Sequence, residues 1–322
     1  MLYPLKFSPV YKQIIWGGSN IKRYFGRETP FDRVAESWEL CCRGDGMGIV
    51  QNGELKGRSF ESLTDEFKEK LLGSNSVAKY GCNFPLLVKL IDANDRLSVQ
   101  VHPDDAYALR EGESNGKNEM WYIIDAKKDA KLVYGLKAGI TKQKFIDAVN
   151  TGEIDKTLNE VTVKPGDSLY IPAGTVHAIL DGILIAEIQQ NSNTTYRIYD
   201  WGRVDADGKS RELHIDKALD VINFDTVPEA GIAVVTEKND GYDRRILLRS
   251  QFFNLDEIVV KSSYNSEIDG GSFLAVMNIA GGGRLTYDDG EISISMGETI
   301  LLPACLGRFK FTGDIKLLTA YI

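Results

Sequence analysis

Short apolar runs, separated by glycine, proline and polar turn residues, dominate the hydrophobic pattern of this chain. Such runs are typical of β-strands, and many in succession favour a sandwich or barrel. Helices are predicted at residues 60–72, at 142–150 with Thr141 as N-cap, and more weakly at 215–222. The prediction is an all-β protein with a few helices. Its predicted strands are residues 86–91, 120–125, 131–135, 168–171, 183–189, 257–261, 273–280, 283–287, 292–295, 299–302 and 317–321.

A segment that starts at Gly166 has a second copy that starts at Gly297. Both copies read glycine, an acid, serine or threonine, three apolar residues, proline and alanine. A glycine–acid turn begins a strand, and proline ends it where no ladder N–H is needed. Because this pattern is typical of jelly-roll barrels, two copies predict two barrels. Arg308 takes the place of His177 in the second copy, so the second barrel is expected to be metal-free.

The boundary between the barrels is predicted within residues 225–241, which contain proline and glycine and follow the last predicted helix. A chain of 322 residues is long enough for two modest cores. The predicted domains are residues 1–235, with helical insertions, and residues 236–322, a second, metal-free β domain.

Two of the three histidines lie in patterned surroundings. Strand alternation places Ser98, Gln100 and His102 on one face, and this face points inward if the barrel holds a ligand. Glu119 begins an apolar strand, and His177 follows a proline–alanine–glycine turn. The alternative is that His102 and Glu119 are ordinary surface residues. Together, however, these side chains can form a metal site from Gln100, His102, Glu119 and His177.

Two imidazoles, a carboxylate and an amide oxygen suit Zn²⁺, Fe²⁺, Mn²⁺ or Co²⁺, and the pattern does not separate these ions. The third histidine, His214, stands beside Arg211 and Glu212 and just before a predicted helix. We expect His214 to be an exposed or capping residue.

Composition narrows the classes of function. A net charge of −8 and a pI near 5.1 argue against a broad nucleic-acid surface. No apolar run is long enough to span a membrane, and the N-terminus lacks the apolar run of a signal peptide. The cysteines form no CxxC pair and are expected to be free thiols in a cytoplasmic protein, at Cys41, Cys42, Cys82 and Cys305.

Seven segments of the chain form a recognisable series, at residues 15–18, 35–39, 84–89, 97–103, 117–121, 170–178 and 195–201. Their most specific parts are Q-V-H-P, K-x-E and P-A-G-x-x-H-A, in that order. Together the segments resemble the type I mannose-6-phosphate isomerases of the cupin superfamily, in their short bacterial form, from about residue 7 to the C-terminus.

The resemblance implies two cupin barrels, the first catalytic, with one zinc ion per chain. The implied reaction is the interconversion of D-mannose 6-phosphate and D-fructose 6-phosphate through an enediolate. The family's metal ligands fall on Gln100, His102, Glu119 and His177. Its substrate-binding residues fall on Ser98, Lys89, Lys117 and Arg197, of which Lys117 and Arg197 are the catalytic candidates.

One position departs from the family pattern. Asn193 stands where the family commonly has an aspartate, four residues before Arg197, and an amide cannot act as a carboxylate base. The proton-transferring group stays open between a lysine, a metal-bound hydroxide and a histidine. For Arg197 the structural alternative is a salt bridge to Asp200. Lys89 lies in an apolar strand, where an ammonium is costly unless it faces a polar cavity.

Trp16, Trp38 and Tyr199 are further candidates for the sugar cleft, with core packing as an equal alternative. Glu36 and Glu39 are weaker candidates for binding sugar hydroxyls. Two other functions are compatible with the fold: an Fe(II) dioxygenase, which also uses two histidines and a carboxylate, and a sugar-phosphate sensor without catalysis.

Overall fold

The computed structural model describes residues 2–204, 207–225 and 235–322. No helix in these ranges has the length and apolarity needed to cross a bilayer. The helices are α1 (Asn20–Phe25), α2 (Phe60–Phe67), α3 (Glu69–Leu72), α4 (Ser74–Tyr80), α5 (Asp105–Arg110), α6 (Lys142–Thr151), α7 (Ile215–Val221) and a 3₁₀ turn (Ile154–Thr157).

Strands make up most of the regular structure, which confirms the predicted fold class. They are β1 (Leu5–Lys6), β2 (Val10–Lys12), β3 (Glu36–Leu40), β4 (Cys42–Arg43), β5 (Gly46–Met47), β6 (Leu86–Ala93), β7 (Val99–Val101), β8 (Glu119–Ala126), β9 (Lys131–Leu136), β10 (Leu158–Thr162), β11 (Ser168–Ile171), β12 (His177–Ile179), β13 (Ile183–Gln190), β14 (Tyr196–Tyr199), β15 (Val235–Lys238), β16 (Tyr242–Arg249), β17 (Asn254–Val260), β18 (Ser263–Ile268), β19 (Leu274–Tyr287), β20 (Gly290–Ile294), β21 (Thr299–Leu302) and β22 (Gly307–Tyr321).

Two antiparallel sheets form the first β unit. One has the order β10-β9-β12-β7-β14, and the other has the order β11-β8-β13-β6-β3-β2. Alternate residues of both sheets point inward and pack as one core, which contains Trp121 and Ile185 from one sheet and Leu132 and Ile179 from the other. Helices α6 and α7 belong to a second core on the outer face of the smaller sheet, together with Phe145 and Val133.

The second β unit is a nine-stranded sheet built around the long antiparallel pair β19 and β22. The first strand of the chain also joins it, since Leu5 of β1 pairs with Leu301 of β21. The largest apolar core lies between the two units and draws residues from both, such as Leu90 and Leu318. Residues 226–234, within the predicted boundary segment, lie outside the described residues, so the division after residue 235 stays a prediction.

The two copies of the sequence repeat have the same local geometry. Gly166 and Gly297 both have left-handed backbones, with φ of 91° and 85°, and each leads into a four-residue strand. Those strands, β11 and β21, end immediately before Pro172 and Pro303. The turn and strand read from the sequence are therefore present in both copies.

Three predicted segments differ in detail. The helix at 60–72 is divided into α2 and α3 because Lys68 adopts φ of 43° and interrupts it. The strands predicted at 273–280 and 283–287 are one strand, β19, with an irregular pairing between Asn278 and Ala280. The sequence prediction ends one strand at residue 280 and begins the next at Gly283. A Cβ on Gly281 would lie 1.9 Å from the carbonyl oxygen of Asp314, so glycine is needed here for close strand approach.

Candidate active site

Three neighbouring strands of the smaller sheet bring the polar face predicted from the sequence into register. Gln100 on β7 lies directly opposite His177 on β12 and opposite Arg197 on β14. Cross-strand partners project from the same face of a sheet, so all three side chains share one face. His102, two residues after Gln100, projects from this face as well.

The larger sheet contributes a second set of polar side chains, which face the first set from the opposite sheet. Glu187 on β13 lies between Lys89 on β6 and Trp121 on β8. Glu119 is two residues before Trp121 and therefore projects from the same face. All four side chains are buried. The inner faces of the two sheets thus place imidazoles opposite carboxylates.

The nitrogen and oxygen donors of His102, Glu119 and His177 lie within 4.8 Å of one another. His102 Nε2 is 3.2 Å from Glu119 Oε1, and His177 Nε2 is 3.7 Å from Glu119 Oε2. The side-chain nitrogen of Gln100 lies 3.3 Å from His177 Nε2. Rotation of that amide by half a turn presents its oxygen at the same place, where it can serve as a fourth donor.

Both histidines are held by backbone carbonyls. His102 Nδ1 lies 2.9 Å from the Thr194 oxygen, and His177 Nδ1 lies 2.8 Å from the Thr175 oxygen. A carbonyl can only accept, so each Nδ1 carries the proton and each Nε2 presents a lone pair to the cluster. A hydrogen bond of this kind from the outer nitrogen is how proteins orient histidines that bind metals.

The electrostatics also favour cation binding. Burial lowers the pKa of His102 to about 3, assisted by the charge of Lys117, and burial likewise lowers the pKa of His177. Burial alone would raise the pKa of Glu119, but Lys117 and His102 outweigh it and hold that pKa well below its usual value. The cluster therefore consists of neutral imidazoles and an ionised carboxylate at neutral pH.

The donor set fits a divalent metal ion. His102 Nε2 is buried and makes no hydrogen bond, although a buried polar atom normally has a partner. A cation between the donors would satisfy this lone pair and the Glu119 carboxylate together. The three residues His102, Glu119 and His177 can therefore hold a metal, and their nitrogen and oxygen chemistry is compatible with zinc, iron, manganese or cobalt.

A cavity of about 320 Å³ opens beside the cluster. Gln100 and Lys117 line it and also contact the cluster, since Lys117 Nζ lies 2.9 Å from Glu119 Oε1. The other substrate-binding candidates from the sequence, Lys89, Ser98 and Arg197, line the same cavity. A ligand in this cavity would lie against Gln100 and the cationic groups at once.

Lys89 is buried between two carboxylates. Its Nζ lies 3.1 Å from Glu187 Oε1 and 3.6 Å from Glu36 Oε2. Each carboxylate is held in turn by an indole N–H, from Trp121 for Glu187 and from Trp38 for Glu36. Burial lowers the pKa of Lys89, but the two carboxylates more than offset this and raise it above its usual value. The ammonium is therefore charged and largely neutralised.

Arg197 does not form the salt bridge to Asp200 that the sequence left open. Its Nη1 donates to the backbone oxygen of Glu212, while Asp200 accepts hydrogen bonds from Arg203 and Arg211. Burial and the charge of Arg211 lower the pKa of Arg197. Arg211 also lines the cavity, so two guanidinium groups face it.

Comparison with known proteins identifies the family. The family model of the phosphomannose isomerase type I catalytic domain matches residues 4–120. The family model of the mannose-6-phosphate isomerase cupin domain matches residues 244–322. Mannose-6-phosphate isomerase ManA of Bacillus subtilis is 40% identical over 320 residues, which cover 99% of each chain. The chain belongs to the type I mannose-6-phosphate isomerase family. The prediction of an isomerase of this family is confirmed.

Other mannose-6-phosphate isomerases support the same assignment. The relative from Streptococcus mutans is 35% identical over all of this chain and 99% of its own. The crystal structure of the Bacillus subtilis mannose 6-phosphate isomerase superposes with a TM-score of 0.92, covers both chains completely and is 34% identical. A phosphomannose isomerase from Salmonella typhimurium has the same fold, with a TM-score of 0.81 at 15% identity. Membership of an isomerase family removes the basis for the dioxygenase and sensor alternatives.

Two cavity residues of this isomerase were not found from the sequence. Glu187 interrupts the apolar strand β13, and a lone acid in a buried strand is a signal that could have indicated it. Arg211 stands in a loop without periodicity, and its place beside Arg197 depends on long-range folding. Among the weaker candidates, Trp16 and Glu36 line the cavity, whereas Glu39 is paired with Arg27 elsewhere.

The remaining candidates have structural contacts. Trp38 packs beside Lys89, with the ammonium 5.4 Å from the ring centre, and Tyr199 packs on Trp201. His214 stands at the N-cap position of α7, but its side chain makes no capping bond. Its Nδ1 instead accepts from the backbone N–H of Arg197.

Asn193 lines the cavity and donates a hydrogen bond of 2.9 Å to Asp45. An aspartate at position 193 would place a second carboxylate against Asp45, and like charges at this distance repel. The amide of Asn193 is therefore favourable at this position, because it donates to Asp45 without adding a second negative charge.

Proposed function

We propose that the protein interconverts D-mannose 6-phosphate and D-fructose 6-phosphate with a divalent metal ion, zinc, bound once per chain. The observation that carries this proposal is the cluster of His102, Glu119 and His177, with the buried Nε2 of His102 unpaired, beside a cavity with several cationic side chains. Membership of the family supports the same substrates, because the relatives carry this activity in their names.

In this proposal Gln100, His102, Glu119 and His177 hold the metal. A bound divalent cation supplies Lewis-acid stabilisation of negative charge that develops on the sugar oxygens. The protein's own contribution is the fixed orientation of the two imidazoles by Thr194 and Thr175, which keeps the donors in place without reorganisation.

The phosphate of the substrate needs cations that are not already neutralised. Lys89 lies between two carboxylates, so a phosphate dianion beside it would face their repulsion. Arg197 has no carboxylate partner among its hydrogen bonds, and Arg211 shares Asp200 with Arg203. We therefore assign the phosphate to Arg211 and the hydroxyl of Ser98, the oxygens of carbons 1 and 2 to Arg197, and the other sugar hydroxyls to Lys89.

The isomerisation moves a proton from carbon 2 to carbon 1 and a hydroxyl proton from oxygen 2 to oxygen 1, so no atom is gained or lost. Each histidine of the cluster uses Nδ1 to bind the backbone and Nε2 to face the donors, which leaves neither ring free as a base. Lys117 lines the cavity beside the cluster with its ammonium 2.9 Å from Glu119 Oε1, so we assign to it the oxygen-to-oxygen transfer, in which it gives a proton to oxygen 1 and regains one from oxygen 2. Arg197 stabilises the enediolate oxygens by hydrogen bonds from its fixed charge.

The direct test is a coupled assay that follows fructose 6-phosphate formed from mannose 6-phosphate. We expect turnover that stops when a chelator removes the metal, with no oxygen consumed. Binding of the sugar phosphate without turnover would contradict the proposal, and so would oxygen uptake that depends on the sugar. We place the reaction in the cytoplasm, where the free cysteines of the chain stay reduced.

A further inference from the structure

A second cavity, of about 360 Å³, opens at one end of the second β unit. Its wall includes Arg244 on β16, Asp256 on β17 and Thr319 on β22. Ile258, two residues after Asp256, and Leu317, two residues before Thr319, belong to the apolar interior of this unit. Because alternate strand residues share a face, the three polar residues point into the same interior. The second β unit thus carries a polar mouth, as ligand-binding barrels do.

A buried carboxylate forms ion pairs at the wall of this cavity. Asp256 is 2% exposed, and its two oxygens lie 2.6 Å from Arg244 Nη2 and 2.7 Å from Arg249 Nη2. The two arginine side chains are partly exposed, so Arg244 can also contact a ligand. Asp256 and Arg244 thus provide a carboxylate and a guanidinium in fixed positions at a cavity wall, which is what recognition of hydroxyl groups requires.

Aromatic rings form another part of the wall, at Tyr264, Phe309 and Tyr321. The ring of Tyr264 is fixed by edge contacts to Tyr242, 4.7 Å between ring centres, and to Phe309, at 6.0 Å. Rigid aromatic faces beside a small number of polar groups are typical of sites for amphipathic small molecules. A sugar ring has this character, with apolar C–H faces and hydroxyl edges.

The charge of the wall selects among sugars. Arg244, the cation among the lining residues, is paired with Asp256, and Asp269 adds a further negative charge, while Glu267 is paired with Arg308. A phosphate dianion would find no unpaired cation among these residues, in contrast to the cavity of the first β unit. We propose that the second β unit binds a neutral monosaccharide, with hydroxyl groups on Arg244, Asp256 and Ser266 and a ring face on Tyr264.

This site is separate from the isomerase cavity and does not rest on the proposed function. None of the four tryptophans, Trp16, Trp38, Trp121 and Trp201, is among the residues that line the second cavity. Binding in the second cavity should therefore leave tryptophan fluorescence unchanged, whereas a sugar in the first cavity contacts Trp16.

The experiment is saturation-transfer-difference NMR on the full chain with methyl α-D-mannoside, which cannot open its ring and so cannot be isomerised. We expect saturable binding that mannose 6-phosphate does not displace and that Arg197→Ala retains. Tyr264→Ala should weaken binding at least tenfold and leave the isomerase activity within twofold of the unchanged protein. Tyr287→Ala, in the same unit but outside this cavity, is the matched control and should bind normally.

Ser266→Ala provides a milder second variant in case Tyr264→Ala unfolds the second unit, and it should weaken binding severalfold. Absence of saturation transfer to the mannoside would overturn the proposal. It would also be overturned if mannose 6-phosphate displaced the mannoside, or if both cavity variants bound as well as the unchanged protein.

Discussion

At the scale of single residues, the two histidines of the cluster divide their ring nitrogens between two tasks. The Nδ1 atoms of His102 and His177 donate to backbone carbonyls, and the Nε2 atoms face Glu119. Because burial keeps both rings neutral, the lone pairs are available at physiological pH. We therefore predict that these residues bind a metal, because their tautomers direct Nε2 toward Glu119 and their rings are neutral.

His177→Ala should lose metal and activity together, since it removes one donor from the centre of the cluster. Arg197→Ala should keep the metal and lower kcat by roughly 10²–10³-fold, the typical effect of removing one group that stabilises charge in the transition state. Metal analysis and steady-state kinetics on the same preparations separate the two effects. His214→Ala is the matched histidine control and should retain the metal. Full activity in Arg197→Ala would remove its catalytic assignment.

Arg211→Met should weaken competitive inhibition by inorganic phosphate by roughly ten- to a hundredfold, the value of a hydrogen bond to a charged group. Lys89→Met should weaken it far less, because Lys89 is already neutralised by Glu187 and Glu36. Arg203→Met is the control, since Arg203 also binds Asp200 but does not line the cavity. If Lys89→Met weakened inhibition by phosphate more than Arg211→Met, the phosphate would be assigned to Lys89 instead.

At this scale, only the local features of the site can be predicted from the sequence. Alternation places Gln100 and His102 on one face, and the turn before His177 is visible as a motif. The sequence does not reveal which cations remain unpaired, because that depends on partners distant along the chain. Lys89 meets Glu187, and Arg211 joins Arg197, only after the strands and residues 207–214 have packed.

At the scale of elements, β7 is the strand on which the site depends. It has only three residues, and it lies between β12 and β14, so its register fixes His177 and Arg197 relative to Gln100. A slip of one residue would turn Gln100 away from the cavity. The strand itself was readable from the sequence, but its two partners were not, because pairing joins segments more than seventy residues apart.

Thr141→Ala should lower the free energy of unfolding by about 1 kcal/mol, because the hydroxyl accepts from the Lys144 N–H and caps α6. Activity should be unchanged, since α6 packs on the outer face of the smaller sheet. Chemical denaturation measures the loss. Thr151→Ala, at the other end of the helix, is the control and should cost less, because Thr151 only donates to carbonyls. An equal loss in both variants would contradict the capping role.

The helices that the sequence did not predict are short. Helices α1, α4 and α5 have six or seven residues, fewer than two turns, which is too few for a periodic apolar pattern. The break at Lys68 and the continuity of β19 through three glycines are set by tertiary contacts rather than by local propensity.

At the scale of the whole molecule, the two β units share a core rather than merely touching. Apolar residues from β6 and β22 pack in one cluster, and β1 adds the N-terminus to the second sheet. A buried hydrogen bond from Tyr122 to Glu257, which is also paired with Arg245, joins the units across this core. The sequence repeat predicted two barrels but gave no sign of how closely they pack.

Tyr122→Phe should lower the free energy of unfolding by about 1–3 kcal/mol, because Glu257 then loses one hydrogen bond while buried. We expect a single unfolding transition in denaturant, shifted as a whole, since the shared core couples the units. Tyr170→Phe, whose hydroxyl bonds to Asn118 within the first unit, is a matched control for the loss of a hydroxyl. Two separate transitions, only one of them shifted, would contradict the shared core.

The central claim is that the chain isomerises its sugar phosphate at a metal held by side chains from both sheets of the first β unit. The most direct measurement is the metal content of the purified protein, taken alongside the coupled isomerase assay before and after chelation. We predict about one divalent ion per chain, loss of activity when it is removed, and recovery with zinc. Undiminished turnover by a preparation shown to be free of metal would contradict the account.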